Sequence, residues 1–279
     1  MNAATVKMSR LALVLLFVAT SLAVAVGNPQ PLSLLPAALV APFERGEYIA
    51  RDARTREELW RTRWVIEHAT AADRHVIHVR EDGAGRRGRP EPTKWTVSME
   101  VDVTPGNETF SAIKELRDSS DRPLESQRRM IRYHTGFGTV TTVDHDKHTE
   151  QAVSFSVDDE SIPAELLATQ LRALPDAAAR SMRFRLITRD GKAIPMAARI
   201  VGQETVTTPA GAFQCYKTEL AVTGLRGLVG QLVLPAMYMW HRVDPPHAWV
   251  KYQGLDGGVG SREVVMELVR FETRAQKSP

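Results

Sequence analysis

The chain has 279 residues, 43% of them hydrophobic and 25% charged, with a formal net charge of +3 and one cysteine. That is an ordinary composition for a globular protein with a sizeable core. The near-balance of charge excludes a general electrostatic nucleic-acid binder, which needs a basic face. A single cysteine excludes an internal disulfide, so the core alone must hold the fold.

Lys7 and Arg10 precede the apolar run LALVLLFVATSLAVAVG, in which Ala23-Val24-Ala25 supplies an A-x-A cleavage site. This is the layout of a secretory signal peptide over residues 1–25, cut after Ala25 or after Gly27; an uncleaved membrane anchor is the alternative. No cysteine lies near the junction, which rules out lipidation there. No later stretch is apolar enough to span a bilayer. An extended segment over 26–45 is expected next, then one β-rich domain over 46–273 and a tail over 274–279.

From residue 46 the dominant period is two, with turn signals at short intervals. The segments 58–69 and 74–81 read as a hairpin around Thr70–Asp73, with Ala69 opposite Arg74 and His68 opposite His75. That register puts Trp60, Trp64, Ile66, Ile77 and Val79 on one dry face. The Gly- and Arg-rich stretch GAGRRGRPEPT (83–93) carries Arg86, Arg87 and Arg89, and reads as a solvated loop in preference to an anion-binding arm. In KWTVSMEVDV (94–103), Trp95, Val97, Met99, Val101 and Val103 point one way, while Lys94, Thr96, Ser98, Glu100 and Asp102 point the other.

Strands follow at 109–117, 124–133, 137–143 and 149–157. In ESIPAELLATQLRAL (160–174) the period changes. Ser161 suits an N-cap, Pro163 a first turn, and Leu167, Leu171 and Leu174 make a helical stripe. Strands then resume at 181–188, 193–206 and 212–222, and after a Gly-rich loop at 235–243, 248–255 and 262–272. About a dozen strands joined by short turns must curl or close. The fold class is all-β with one short helix: an up-and-down antiparallel sheet rolled into an open or closed barrel.

The hairpin ARIVGQETVTTPAGAFQCYKTELAV turns at Thr208-Pro209-Ala210-Gly211. Phe213, Cys215 and Lys217 fall on one face, and Lys217 is placed to lower the thiol pKa. No histidine lies in the hairpin, so Cys215 reads as a small core hydrophobe.

This hairpin, MYMWHRVDPPHAWVKYQG after it and the terminal VVMELVRF together resemble an uncharacterised family of exported bacterial proteins, domain of unknown function 3108. The matching positions are Gly202, Glu204, Val206, Pro209, Gly211, Phe213, Lys217, Trp240, Asp244, Val250 and Lys251, within residues 185–271. The resemblance implies a periplasmic β-rich protein and brings no catalytic residues with it.

Among candidate sites, Asp144, His145, Asp146, His148 and Glu150 have metal-ligand chemistry but sit in one polar turn, where these residues are common without function. His241 and His247 flank a turn that is expected to pair Val243 with His247. Trp60, Trp64, Trp95, Met99 and Met266 fall on dry faces, and Tyr238 with Trp240 makes a second aromatic pair. Their ordinary role is packing; their sharper one is lining a concave apolar surface that holds a lipid tail. No catalytic motif, phosphate loop or C-x-x-C is present, and no catalytic residue or cofactor is assigned.

The chain therefore reads as a periplasmic, non-enzymatic binding protein that shelters an apolar or amphiphilic envelope molecule such as a lipid, through Trp60, Trp64, Trp95, Met99, Tyr238 and Trp240. An envelope assembly protein with a solid β core and a protein partner is the alternative. A metal-dependent hydrolase built on Asp144, His145 and His148 ranks last. A cavity lined by Trp64, Trp95 or Met99 favours the first, and a filled interior with an exposed apolar patch the second.

Overall fold

The computed structural model describes residues 40–71, 74–177, 180–223, 236–257 and 260–274. The expected signal peptide, most of the extended segment before residue 46, most of the tail and the Gly-rich loop lie outside the described residues. Among the described residues, no helix is long and apolar enough to cross a membrane.

Two meanders make one sheet. The first comprises β1 (Phe43–Asp52), β2 (Glu58–Ala71), β3 (Arg74–Gly85), β4 (Thr93–Asp102), β5 (Thr109–Asp118), β6 (Pro123–Arg132), β7 (Phe137–Asp144) and β8 (Thr149–Ser156). The second comprises β9 (Ser161–Pro163), β10 (Ser181–Ile187), β11 (Ala193–Thr208), β12 (Gly211–Val222), β13 (Met237–Arg242), β14 (Trp249–Leu255) and β15 (Glu263–Arg274). β1 pairs with β15, and the order runs β8-β7-β6-β5-β4-β3-β2-β1-β15-β14-β13-β12-β11-β10-β9. All pairs are antiparallel except β9 with β10. β8 and β9 are the two edges, so the sheet is curled but not closed into a barrel.

Side chains bridge the gap between its ends. Arg129 on β6 donates to the carbonyls of Ile187 (3.4 Å) and Thr188 (3.2 Å) beside β10, and pairs with Glu165. The Tyr133 hydroxyl donates to the Ser161 carbonyl at 2.9 Å. Phe155 on β8 lies against Gly138 and Gly191, where no Cβ would fit.

The expected strand parities hold. Trp95, Val97, Met99 and Val101 are buried while Lys94, Thr96 and Ser98 are exposed. They join Trp60, Ile66, Ile77, Phe110 and Ile131 in the main core beneath β1–β6 and β15. A second core holds Ile162, Phe184, Met196, Leu220 and Met239 under the helical segment.

Several local expectations are corrected. Asp102 is buried, because Arg74 and the Thr104 backbone N–H reach its carboxylate. The β2–β3 hairpin is tighter by two residues: Ala69 faces Val76, and His68 faces Ile77 instead of His75. An even shift preserves the faces, and the two imidazoles remain diagonal neighbours with centroids 5.5 Å apart. Ser161 does not cap a helix. It belongs to β9, and its hydroxyl donates to Asp158 Oδ1 at 2.7 Å. The helical segment is a 3₁₀ turn (Ala164–Leu166), one α turn (α1, Leu167–Gln170) and a second 3₁₀ stretch (Leu171–Asp176). Its Leu171 and Leu174 enter the second core with Leu167 packed beside them, so the stripe is used as expected.

Arg172 from this segment crosses the interior to Glu44 at the start of β1, at 2.8 and 2.9 Å from its two carboxylate oxygens. Both side chains are almost fully buried, at 2% and 0% exposure.

Candidate binding site at one rim of the sheet

Antiparallel order sets the β3–β4 loop, the β5–β6 turn and the β10–β11 turn at the same rim. They enclose a partly open cavity of about 190 Å³, lined by the apolar Trp95, Val97 and Leu116 and by the charged Arg87, Arg89, Lys114, Glu125 and Arg189. That is smaller than the roughly 300–1,000 Å³ of sites that engulf a drug-sized ligand.

Glu81 anchors the site from the dry face of β3. Its Oε1 accepts from Trp95 Nε1 (2.9 Å), Thr62 Oγ1 (3.1 Å) and Arg87 (2.6 Å). Burial alone would raise this carboxyl, but the Arg87 charge and the Trp95 N–H outweigh it and leave the pKa below the ordinary value. The Arg87 guanidinium lies 4.8 Å from the Trp60 ring centroid and 5.2 Å from that of Trp95, a cation–π arrangement. The loop expected to be solvated thus folds one arginine inward. Arg86, by contrast, pairs with Glu57 at the surface. The reason is local: Trp60 and Trp95 offer π faces, and Glu81 sits between them as counter-charge.

The remaining cations are less well matched. Arg89 and Lys114 share Glu125, at 3.6 and 3.5 Å, and Arg189 is 3.7 Å from Glu165, which is already engaged by Arg129. Burial, Arg189 and Arg87 together lower the Lys114 pKa; the Arg87 charge, then burial, lowers that of Arg189. Both directions are those of positive groups crowded together.

The expected aromatic surface does not form as a unit. Trp95 lines the cavity and Trp60 backs it edge-on at 5.9 Å. Met99 is buried in the core, and Trp64 turns toward Tyr48 and Phe271. Tyr238 and Trp240 lie elsewhere, with the Lys217 ammonium over both rings. Tyr238 there borders a groove of about 400 Å³ along β11 and β12, among Arg199, Glu204, Lys217 and Glu219.

Cys215 is fully buried with Val206, Trp240 and Val250. Burial pushes its thiol up to about 12, with Arg242 opposing and Glu204 adding, so Lys217 does not activate it. The native thiol is expected to resist iodoacetamide at pH 8 and to react fully in denaturant; mass spectrometry of the alkylated chain checks both.

Asp144 binds Lys147 at 2.7 Å, His145 Nε2 lies 3.3 Å from the Ser126 hydroxyl, and His148 is exposed in a left-handed conformation. Among the described residues, no three metal-ligating side chains gather.

His241 and His247 are both buried, contrary to a Val243–His247 pairing: His241 faces Trp249, and His247 sits in the turn. His241 Nε2 is 2.8 Å from the Ala168 carbonyl and must carry the proton that the carbonyl accepts. Burial pushes this group from 6.5 down to about 3. The unfolded chain therefore binds a proton below pH 6.5 that the folded chain refuses down to about 3, so stability falls with acidity across that window. Urea unfolding between pH 7 and 5 should show this group's slope approaching about 1.4 kcal/mol per pH unit, and His241→Gln should flatten it.

Lys114 and Glu81 are not singled out from the sequence, although both carry a signal, and Arg87 is assigned there to a solvated loop. Lys114 stands in the dry series Phe110, Ala112, Lys114, Leu116, and Glu81 in the series Ile77, Val79, Glu81. A charge on a dry face must be paired or functional.

The curled sheet and its small charged rim pocket define a β-rich, barrel-like protein. The profile of the family described as Protein of unknown function (DUF3108) matches residues 92–243, and the chain belongs to that family. The match begins at β4, earlier than residues 185–271 where the hairpin resemblance lies, and stops before Val250 and Lys251.

Among solved structures, a beta-barrel-like protein of domain of unknown function DUF1849 from Brucella abortus aligns with TM-score 0.53 and 12% identity, covering 83% of this chain and 98% of that one. At that identity the likeness concerns the fold alone. A protein described as exported, with a YmcC-like fold, from Bacteroides fragilis aligns at 0.37 and 12% identity, over 84% of this chain and 100% of that one. A protein described as a lipoprotein from Parabacteroides distasonis aligns at 0.35 and 10%, over 82% and 94%. Among curated proteins, none shows significant sequence similarity to this chain.

Proposed function

We propose that this is an exported, periplasmic, non-enzymatic binding protein that holds part of an amphiphilic envelope molecule at the rim pocket. One observation carries the reading: a single pocket is lined both by the apolar Trp95, Val97 and Leu116 and by five charged side chains, the two-sided chemistry that an amphiphile presents. The pocket takes a head group and the start of a tail; the two packed cores leave the rest of a long tail outside. Export rests on Lys7, Arg10 and the apolar run to Ala25.

The same packed interior favours the second reading, an assembly protein with a solid core that binds a protein partner. Native mass spectrometry of the mature chain released from the envelope separates the two. The binding reading expects a co-purified or readily reloaded amphiphile mass. A chain that always arrives empty and takes up none removes it.

A further inference from the structure

Resting on that reading, we propose that the rim pocket is an oxyanion site for a phosphate monoester head group, held among Arg87, Arg89, Lys114 and Arg189 beside Trp95.

The pocket carries unbalanced charge. Four cationic side chains line or overhang one cavity of about 190 Å³. Two carboxylates answer them: Glu81, committed to Arg87, and Glu125, shared at 3.5 and 3.6 Å between Lys114 and Arg89. The third nearby acid, Glu165, is engaged by Arg129 at the same carboxylate oxygen that Arg189 approaches, so Arg189 has only a 3.7 Å contact with it. The surplus is about two positive charges, which matches the roughly −1.5 to −2 carried by a phosphate monoester at pH 7.

Two of the four cations sit at the rim, with Arg89 43% and Arg189 41% exposed, and two are drawn inward. Lys114 and Arg87 are about one-fifth exposed, at 21% and 22%. Lys114 reaches the cavity from a dry strand face, where its long 3.5 Å contact with Glu125, an acid shared with Arg89, offsets the cost of burial only in part. Arg87 Nε is buried without a partner. Positive groups so confined repel one another until an anion enters, and arginine forks suit tetrahedral phosphate oxygens.

The apolar part of the lining decides what the phosphate is attached to. An inorganic ion has no use for the faces of Trp95, Val97 and Leu116, whereas an alkyl chain behind the head group covers them. A phosphate-bearing lipid and a free phosphate share the recognition chemistry, and the test tells them apart.

The full chain is titrated with dodecyl phosphate, dodecyl maltoside and inorganic phosphate, each below any micellar concentration, with tryptophan emission as the readout. Dodecyl phosphate is expected to bind with an affinity that falls as salt rises. Inorganic phosphate should compete weakly, and dodecyl maltoside should bind at least about tenfold more weakly. Arg189→Gln and Lys114→Gln, whose ion pairs are long, should each lose about tenfold for dodecyl phosphate. Arg128→Gln on the exposed face should change nothing, and circular dichroism checks that all three fold.

Equal binding of the maltoside and the phosphate amphiphile, unchanged in both pocket variants, overturns the oxyanion site while leaving the amphiphile reading standing. Inorganic phosphate binding as tightly as dodecyl phosphate supports the oxyanion site and removes the amphiphile. No binding of either phosphate overturns the site, and with the maltoside also silent the amphiphile reading falls too.

Discussion

Arg172→Met is expected to destabilise the protein by about 3–5 kcal/mol, read as a lowered urea midpoint. Its guanidinium meets both oxygens of Glu44, and neither side chain has meaningful contact with water. Burying two ions costs several kcal/mol each, and their mutual attraction offsets that only while both are present. Removing the arginine strands a carboxylate between β1 and the helical segment. The double variant Glu44→Leu with Arg172→Met should recover most of the loss, because an apolar pair leaves no charge uncompensated. A single variant as stable as the parent would show that Glu44 finds water or a proton cheaply, and the interior would then be wetter than described.

The second large effect is expected at Gly83. A Cβ there would lie 2.2 Å from Trp95 Cζ2, 2.5 Å from its Cε2 and 2.7 Å from the Arg61 carbonyl oxygen. The indole lies flat across the glycine it faces in the β3–β4 ladder, and backbone closes the other side. Gly83→Val should therefore cost about 3 kcal/mol, the upper range for overpacking, and should lift Trp95 from its bond to Glu81. Near-ultraviolet circular dichroism and the urea midpoint should change together, and the rim pocket should lose part of its apolar lining. Gly202→Ala, with nothing within 4 Å of the new methyl, is the matched control and should cost no stability. Equal behaviour of the two variants would refute the seat.

Among the described residues, Gly83 is one of three such seats. Gly46 faces Trp64 in the β1–β2 ladder and Gly138 faces Phe155 in the β7–β8 ladder, and in each a Cβ would meet the ring within 2.6 Å. The pairing cannot be seen along the chain, since it joins residues from different strands. It is a reason why parity alone did not reveal where the aromatic rings point.

What parity did reveal is most of the fold. β4 alternates so cleanly that its buried face follows from Trp95, Val97, Met99 and Val101 alone. Most of the sheet's order follows as well, because short turns make sequence neighbours into ladder neighbours, but the β1–β15 pair and the break between β8 and β9 do not. The failures share a physical cause. Ser161 looks like a helix cap because serine beside proline usually is one, yet three residues suffice for β9 to pair with β10. Arg87 looks solvated because its neighbours are Gly, Arg and Pro, and only the folded sheet shows two indoles and a carboxylate waiting beneath it. Lys114 was the readable clue: a charge in a row of apolar positions marks a place where packing has yielded to something else.

The junction between β6–β8 and β9–β10 gives the molecule a hoop with a clasp. A ring sealed by hydrogen-bonded strands can widen only by tearing a whole ladder. This one is fastened by Arg129 to Glu165 and two carbonyls, by Tyr133 to a third, and by Phe155 resting on Gly191. Together with the short chain link from β8 to β9 and the core packing of Val157, Leu166 and Ile187, these contacts close a seam that side-chain substitutions can loosen while every strand ladder stays intact.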